Sequence, residues 1–268
     1  MDHDSAARRP RGFRSLIPDH IWAKLVQHGV RKPHSAGEWL LQQGSPGGWV
    51  LLCLAGRSKV VYAEPDGREV LLAVRGPGDV LGEFSSRDGL PRSATVQAIE
   101  PGITSTLPDQ QFAELVERLG VSEKLSAYVM GKMRESAAHA WRLAYRTTAV
   151  RLSELIGMLI EAAGPDHPHP HTIAMSQEEL ASALGLVRSA ITPVLAEWKT
   201  AGVIATARGR FQVLDFARLR CLAVSSTGQN DPRSSDTVGY TAQRGTGRST
   251  DDSSRHERSR PAHGHPRR

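Results

Sequence analysis

The sequence predicts an α+β chain in which short strands come first and helices follow. Three observations carry this. From about residue 33 to residue 107, short apolar runs alternate with glycine- and proline-rich turns. After Pro108 the apolar spacing changes to a helical period. From Ser225 onward the chain is Ser, Thr, Arg, Asp, His and Gly with hardly an aromatic, so it cannot bury enough apolar surface to offset its ordering entropy.

Residues 1–16 are expected to be a flexible N-terminus, the first twelve being polar and arginine-rich, with a short helix around Ile17–His28. The runs Trp39–Leu41, Trp49–Leu52, Lys59–Tyr62, Val70–Val74 and Ala94–Val96 read as strands, separated by Gly44, Pro46-Gly47-Gly48, Ala55-Gly56, Pro65-Asp66-Gly67 and Gly76-Pro77-Gly78. Asp66-Gly67 between alternating strands is a hairpin signal. Strands at this spacing indicate a sandwich or barrel. Gln110–Leu119 is a first helix and Ser122–Tyr145 a long one. Along the long helix Leu125, Val129, Met133, Ala137, Ala140 and Leu143 form a stripe. It reads either as a core face or, given the helix length and the small residues Gly131, Ser136 and Ala137, as a dimerisation seam.

Arg151–Ala163 is amphipathic and Gly164–His171 is a loop or linker. Ser176-Gln177-Glu178-Glu179 is a capping box opening a helix to Leu184. Gly185 makes a turn, a second helix runs to about Thr200, and Arg208-Gly209-Arg210 is a basic turn between short strands. Helix, turn, helix and hairpin is the layout of a winged helix-turn-helix. The expected division is a barrel domain at 17–120, the long helix at 121–147, the winged unit at 148–224 and a disordered tail at 225–268.

The totals narrow the function classes. A chain of 268 residues has room for two domains, with no apolar run near the ~20 residues of a membrane span. The N-terminus, Met1-Asp2-His3-Asp4, lacks a signal-type segment. Two cysteines, Cys53 and Cys221, suit a reducing, cytoplasmic setting and are too few for a four-cysteine zinc or iron–sulfur site. Cys53 reads as a core strand residue. His167, His169 and His171 alternate with prolines, so an extended segment would splay them to opposite sides; no metal site is expected. No nucleophile–base pair or phosphate-transfer loop is evident, and no enzymatic activity is expected. Thirty-four basic against 28 acidic residues suit a polyanionic partner.

The densest chemistry lies in Gly82–Thr95. Gly82 lets the backbone approach a ligand closely. Arg92 can grip a phosphate through two parallel bonds, and Ser93 adds a hydroxyl. Glu83 is a pure acceptor suited to a sugar hydroxyl. Alternatively Glu83 and Arg92 pair with each other and rigidify the loop. In the winged unit, Arg188 is placed to read a base edge, with Ser189 and Thr192 on accessible turns. Ser176, Gln177, Arg208 and Arg210 are placed to hold phosphates. Pro193 falls inside this second helix, where proline costs roughly 3 kcal/mol. Either the helix kinks, or it starts late with Thr192 as N-cap.

At this point the chain resembles the cyclic-AMP receptor/fumarate–nitrate regulator (Crp/Fnr) family of bacterial transcription factors, over about residues 20–224. The resemblance rests on Gly37-Glu38, Gly44, Gly56, Asp66-Gly67-Arg68-Glu69, the run from Gly76 to Glu83, and Pro91-Arg92-Ser93-Ala94-Thr95. It implies a jelly-roll cyclic-nucleotide-binding barrel, a long dimerisation helix and a winged helix-turn-helix. It further implies that Glu83 accepts from the ribose, Arg92 and Ser93 hold the cyclic phosphate, and Gly82, Phe84 and Ala94 pack close around them. Ser136 falls near where the family presents a hydroxyl to the base. The expected ligand is cyclic AMP, and the expected partners are double-stranded DNA, a second copy of the chain and RNA polymerase. The chain departs from the family at Ser85-Ser86-Arg87, where small and apolar residues are usual; there the cassette helix packs less tightly or Arg87 adds a phosphate contact. It also departs at Pro193. Two alternatives accompany the reading: a regulator of the same fold that does not depend on a nucleotide, and a ligand-binding regulatory protein with impaired DNA binding.

Overall fold

A computed structural model of the chain describes residues 10–64, 69–207 and 209–225. The Asp66-Gly67 turn, Arg208 and residues 226–268 of the expected tail lie outside the described residues. The barrel is made of two four-stranded antiparallel sheets. One has β1 (Val30–His34), β8 (Gly102–Pro108), β3 (Trp49–Ala55) and β6 (Val80–Leu81) in the order β1-β8-β3-β6; the other has β2 (Trp39–Leu41), β7 (Thr95–Ala98), β4 (Ser58–Ala63) and β5 (Glu69–Arg75) in the order β2-β7-β4-β5. Together they form a jelly roll. Strand β3 shows why. Leu51 and Cys53 point inward with Leu41, Leu81 and Val96, while Val50 and Leu52 point outward onto a second cluster containing Phe13, Trp22, Leu25, Leu107 and Phe112. With period-two alternation, a strand apolar at every position must be covered on both faces. Helices α1 (Asp19–His28) and α3 (Asp109–Arg118) provide the outer cover.

The five anticipated strands are present, and three others were not read from the sequence. β1 carries Arg31, Lys32 and Pro33, which suit an edge strand. β8 is central yet polar: Thr104 and Ser105 are buried, and Ser105 Oγ donates to the Val26 carbonyl at 3.1 Å. The expected flexibility of residues 1–16 does not hold for Gly12–Leu16, which is a 3-10 helix. Phe13 within it is fully buried, its ring 5.7 Å from that of Tyr128, and this apolar contact offsets the ordering cost.

Helix α4 (Ser122–Tyr145) matches its predicted span. The core-face reading of its stripe holds only at the start: Leu125 is buried, Val129 is half-buried, and Met133, Ala137 and Ala140 are exposed. The side chain of Leu143 lies outside the description. Below Leu125, the face turned to the barrel is formed by Tyr128, Lys132 and Glu135.

The C-terminal unit begins at Thr147, which caps α5 (Thr148–Ala162). It continues through β9 (Thr172–Ile173), α6 (Gln177–Ala183), α7 (Arg188–Thr200), β10 (Ile204–Ala207), β11 (Arg210–Val213) and α8 (Phe216–Ser225). The capping box is formed: Glu179 N donates to Ser176 Oγ at 3.2 Å and Ser176 N donates to Glu179 Oε2 at 2.7 Å. Strands β10, β11 and β9 make the wing, in the order β10-β11-β9. Helix α7 does not start late. It runs from Arg188 through Pro193, which is exposed, so the carbonyl of Ser189 that loses its partner faces water; Thr192 Oγ1 donates to the Arg188 carbonyl at 2.9 Å.

Barrel and winged unit share one core, in which Val61, Leu71, Val74 and Ile99 meet Leu155, Leu159 and Ile173. Arg57 clasps the junction. Its guanidinium, 1% exposed, donates to both oxygens of Glu100, at 2.9 and 2.6 Å, and to the carbonyls of Leu159, Pro170 and Thr172 at 3.1, 3.3 and 2.7 Å. His167 joins from the loop: its Nδ1 accepts from His169 N, so Nε2 carries the proton and donates to Glu100 Oε1 at 3.1 Å. The segment expected to be a loop or linker thus also ties the junction through His167.

Candidate functional site

The barrel positions Arg92 from its backbone outward. Gly44 N donates to the Arg92 carbonyl at 2.8 Å, and Arg92 N to the Ser45 carbonyl at 2.9 Å, fixing the loop before β7. The side chain is buried, with Nη1 donating to the Gly82 carbonyl at 2.8 Å and Nη2 to the Trp49 carbonyl at 2.5 Å. The guanidinium lies 5.2 Å from the Trp49 ring. Burial pushes the Arg92 pKa down, partly countered by Asp109 and Glu83. Its Nε is buried and has no hydrogen-bond partner among the described residues. An unpaired buried donor costs about 1–3 kcal/mol, so an arriving anion would be rewarded there.

Gly82 has φ +84° and a Cβ at this position would collide with Arg92 Nη1, so any other residue is strained here and must displace the guanidinium. Immediately after it, α2 (Glu83–Asp88) begins. Glu83 is 2% exposed, but its partner is not Arg92. Lys132 of α4 donates to Glu83 Oε1 at 2.6 Å and to the Val80 carbonyl at 2.6 Å. The alternative of a Glu83–Arg92 pair is therefore not what forms; each residue has its own anchoring. Arg87 donates to Ser126 Oγ of α4 at 3.2 Å.

One cavity of about 100 Å³ gathers Gly82, Glu83, Phe84, Arg92, Ser93, Ala94 and Ser136, all the residues the sequence singled out for the ligand. Arg75 and Lys132 also line it, and neither was anticipated. Arg75 donates to Glu135 Oε1 of α4 at 3.0 Å. The residues fit a cyclic nucleotide in kind: a buried carboxylate for a hydroxyl, a buried guanidinium with a spare N–H for a phosphate, and a glycine cradle. Cys53 lies at the back of the barrel, where burial, then Asp79, pushes its thiol up; it is inert.

In the winged unit, a cleft of about 290 Å³ brings Ser176, Gln177, Arg188 and Arg210 together, with Gly209 at the wing turn. Arg188 Nε lies 3.4 Å from Gln177 Oε1. Ser189 and Thr192 are exposed on the same α7 turns. Arg208 lies outside the described residues. Buried Ile191, Leu195 and Trp198 hold the helix from behind.

Comparisons with known proteins match the two parts of this fold. Residues 31–119 match the cyclic nucleotide-binding domain model and residues 150–222 the Crp-like helix-turn-helix domain model. The chain is 26% identical over 219 residues to a CRP-like cAMP-activated global transcriptional regulator of Mycobacterium tuberculosis, covering 81% of this chain and 97% of that one. It is 26% identical over 213 residues to the cyclic AMP receptor protein of Thermus thermophilus, covering 79% and 95%. The structure of FixK2 from Bradyrhizobium japonicum shares the fold, with a TM-score of 0.61, 19% identity, and coverage of 72% of this chain and 96% of that one.

The chain is thus a DNA-binding transcription regulator with a cyclic-nucleotide-binding domain. It belongs to the Crp/Fnr family. Among the described residues no group of His, Cys, Asp or Glu could hold a metal ion, and no single helix is long and apolar enough to cross a membrane.

Proposed function

We propose that this chain acts as a cytoplasmic homodimer whose DNA binding is set by a cyclic nucleotide, cyclic AMP first among the candidates. The observation that carries the reading is the convergence of Glu83, Arg92, Ser93 and Ala94 of the barrel with Ser136 of the distant helix α4 on one cavity. The ribose hydroxyl donates to Glu83. The cyclic phosphate takes the Arg92 Nε–H and the Ser93 hydroxyl, and Ser136 reaches the base from α4. The second copy lies along the exposed apolar side of α4, where Met130, Met133, Trp141 and Tyr145 are all at least half exposed. Arg188, Ser189 and Thr192 face base edges, while Ser176, Gln177, Arg208 and Arg210 hold phosphates. Two such units on a dimer meet half-sites about one helical turn apart, and binding weakens steeply with salt. RNA polymerase is the partner through which a DNA-bound regulator acts.

Isothermal titration calorimetry with cyclic AMP and cyclic GMP tests the ligand. Heat from the wild type that disappears in Arg92→Ala supports the proposal; no heat at millimolar nucleotide sinks it. A second reading, a regulator independent of nucleotide, is favoured by one observation: Glu83 and both Nη groups of Arg92 already have partners within the chain. Operator binding of full strength in nucleotide-free protein would support that reading instead.

A further inference from the structure

Helix α7 buries Ile191, Leu195 and Trp198 on one side and leaves the other side open. At about 100° per residue, the positions opposite those three are Ser189, Thr192, Pro193, Ala196 and Thr200, and all five are exposed. None of them carries a charge or an amide. Arg188 and Lys199 lie on one flank of this face and Glu197 on the other. Thr192 does not offer its hydroxyl proton outward, because Oγ1 donates to the Arg188 carbonyl at 2.9 Å; what it has left to offer is a methyl group. Pro193 brings ring carbons and Ala196 a second methyl. At the tip of the helix, the N-cap Val187 is an apolar side chain 69% exposed.

We propose that this face reads thymine methyl groups, so that each half-site holds one guanine under Arg188 and A·T pairs along the rest of the helix. This rests on the DNA-reading role given to α7 above and names the class of sequence that it selects. In the major groove, thymine alone presents an apolar group, its C5 methyl, and alanine or a threonine methyl is suited to meet it. Guanine calls for a bidentate cation, adenine for an amide and cytosine for an acid. After Arg188, the first two turns of α7 supply none of these. Glu197 and Lys199 come about 13 Å or more along the axis from Arg188, whereas the N-terminal residues of such a helix are the ones that reach base edges.

The backbone of the duplex does not need this face either. Ser176, Gln177 and Arg210 gather beside Arg188 in the winged-unit cleft and are placed to hold phosphates. Pro193 is consistent with the same division of labour. A proline ring has no donor for a base edge, yet it adds carbon surface and keeps the helix close to the bases, since it is as short as its neighbours on this face.

Selection of bound duplexes from a random pool by the full chain, with and without cyclic AMP, gives the operator. Each thymine of a half-site is then replaced by uracil, which removes the methyl and keeps the pairing, and affinity is read by fluorescence anisotropy. The expected half-site has one guanine followed by A·T pairs. Each methyl that α7 meets should cost about fourfold in affinity when removed, the transfer value of one buried carbon group. Thr192→Ser keeps the hydroxyl for the Arg188 carbonyl and lacks only the methyl, so the uracil penalty should vanish at one position; Pro193→Ser should abolish it at a neighbouring one. Half-sites with several G·C pairs along α7, or wild-type affinity indifferent to uracil, overturn the methyl reading and leave DNA binding standing. A uracil penalty that persists in both variants overturns its assignment to this face. A pool in which no sequence is enriched under either condition overturns base-specific reading by α7, and the methyl reading with it.

Discussion

Replacing Arg57 with methionine tests how the DNA-binding unit is held. Arg57 and Glu100 are a buried ion pair, with side chains 1% and 11% exposed. Removing the cation leaves Glu100 buried with, among the described residues, His167 and the Arg57 backbone N–H as partners, and deprives the Leu159, Pro170 and Thr172 carbonyls of a donor. Breaking such a pair from one side costs about 3–5 kcal/mol, a large part of a total stability of about 5–15 kcal/mol. For a chain of this size each kcal/mol moves the melting temperature by about 2–4 °C, so a fall of about 10 °C or more is expected by scanning calorimetry. The double variant Arg57→Met/Glu100→Leu should recover part of the loss, since replacing both partners with apolar groups removes the unpaired charge. Amide exchange should rise first in the loop at 164–172, whose backbone the guanidinium holds. A loss under about 1 kcal/mol, or a double variant worse than the sum of the singles, would refute the claim that this pair clasps the two units.

Gly82→Ala should abolish nucleotide binding in calorimetry and destabilise the fold by about 1–2 kcal/mol, because the new methyl meets Arg92 at a positive φ. Burial holds the imidazoles of His167 and His34 below their ordinary value near 6.5, against the raising effect of Glu100 and Glu38 respectively. The unfolded chain therefore binds more protons as pH falls, so stability present above about 6.5 is lost as pH drops through the lower folded-state values. Denaturant titrations should show a shallower slope between about pH 5 and 7 in His167→Gln. Arg188→Ala should cost about 1–3 kcal/mol on a specific operator and relax base preference, whereas Arg210→Ala should weaken all sequences alike and lower the salt slope by about 1. Met133→Asp, placed on the exposed side of α4, should shift sedimentation toward the monomer without lowering the melting temperature of the barrel.

The legible parts of this chain are those where local chemistry decides. Alternating strands, glycine turns and the Ser176–Glu179 box need only their own few residues to be read, and the spans of β2 and α4 follow directly. Glu83 and Arg92 were legible because two unlike charges stood among turn residues. Lys132, Arg75 and Arg57 were not. A charged residue in a sequence reads as solvated, and these three are buried only because an acid from a distant element meets each of them: Glu83, Glu135 and Glu100. The same blindness hid β8, whose Thr104 and Ser105 look like surface until partner strands and the Val26 carbonyl are in place. Pro193 misled in the other direction, because propensity alone cannot weigh the tertiary support that Ile191, Leu195 and Trp198 give to α7.

Helix α4 draws these points together. At about 100° per residue, Tyr128, Lys132 and Glu135 cluster on one side, and Met130, Met133 and Trp141 lie roughly opposite. The sequence stripe was judged by apolarity and, beyond Leu125 and Val129, pointed to residues exposed away from the barrel; the side that meets the sensor there is polar. One helix therefore touches the ligand cavity through charged groups and presents its apolar surface elsewhere, so a change in one tie is felt across the helix without disturbing a packed core. Its C-terminal end passes through Thr147 directly into α5, whose Leu152, Leu155 and Leu159 are fully buried in the winged unit. Arg57 meanwhile holds the carbonyl of Leu159 from the barrel side. A shift of α4 relative to the barrel must then be absorbed between Arg146 and Thr147 or transmitted into α5 against the Arg57 clasp.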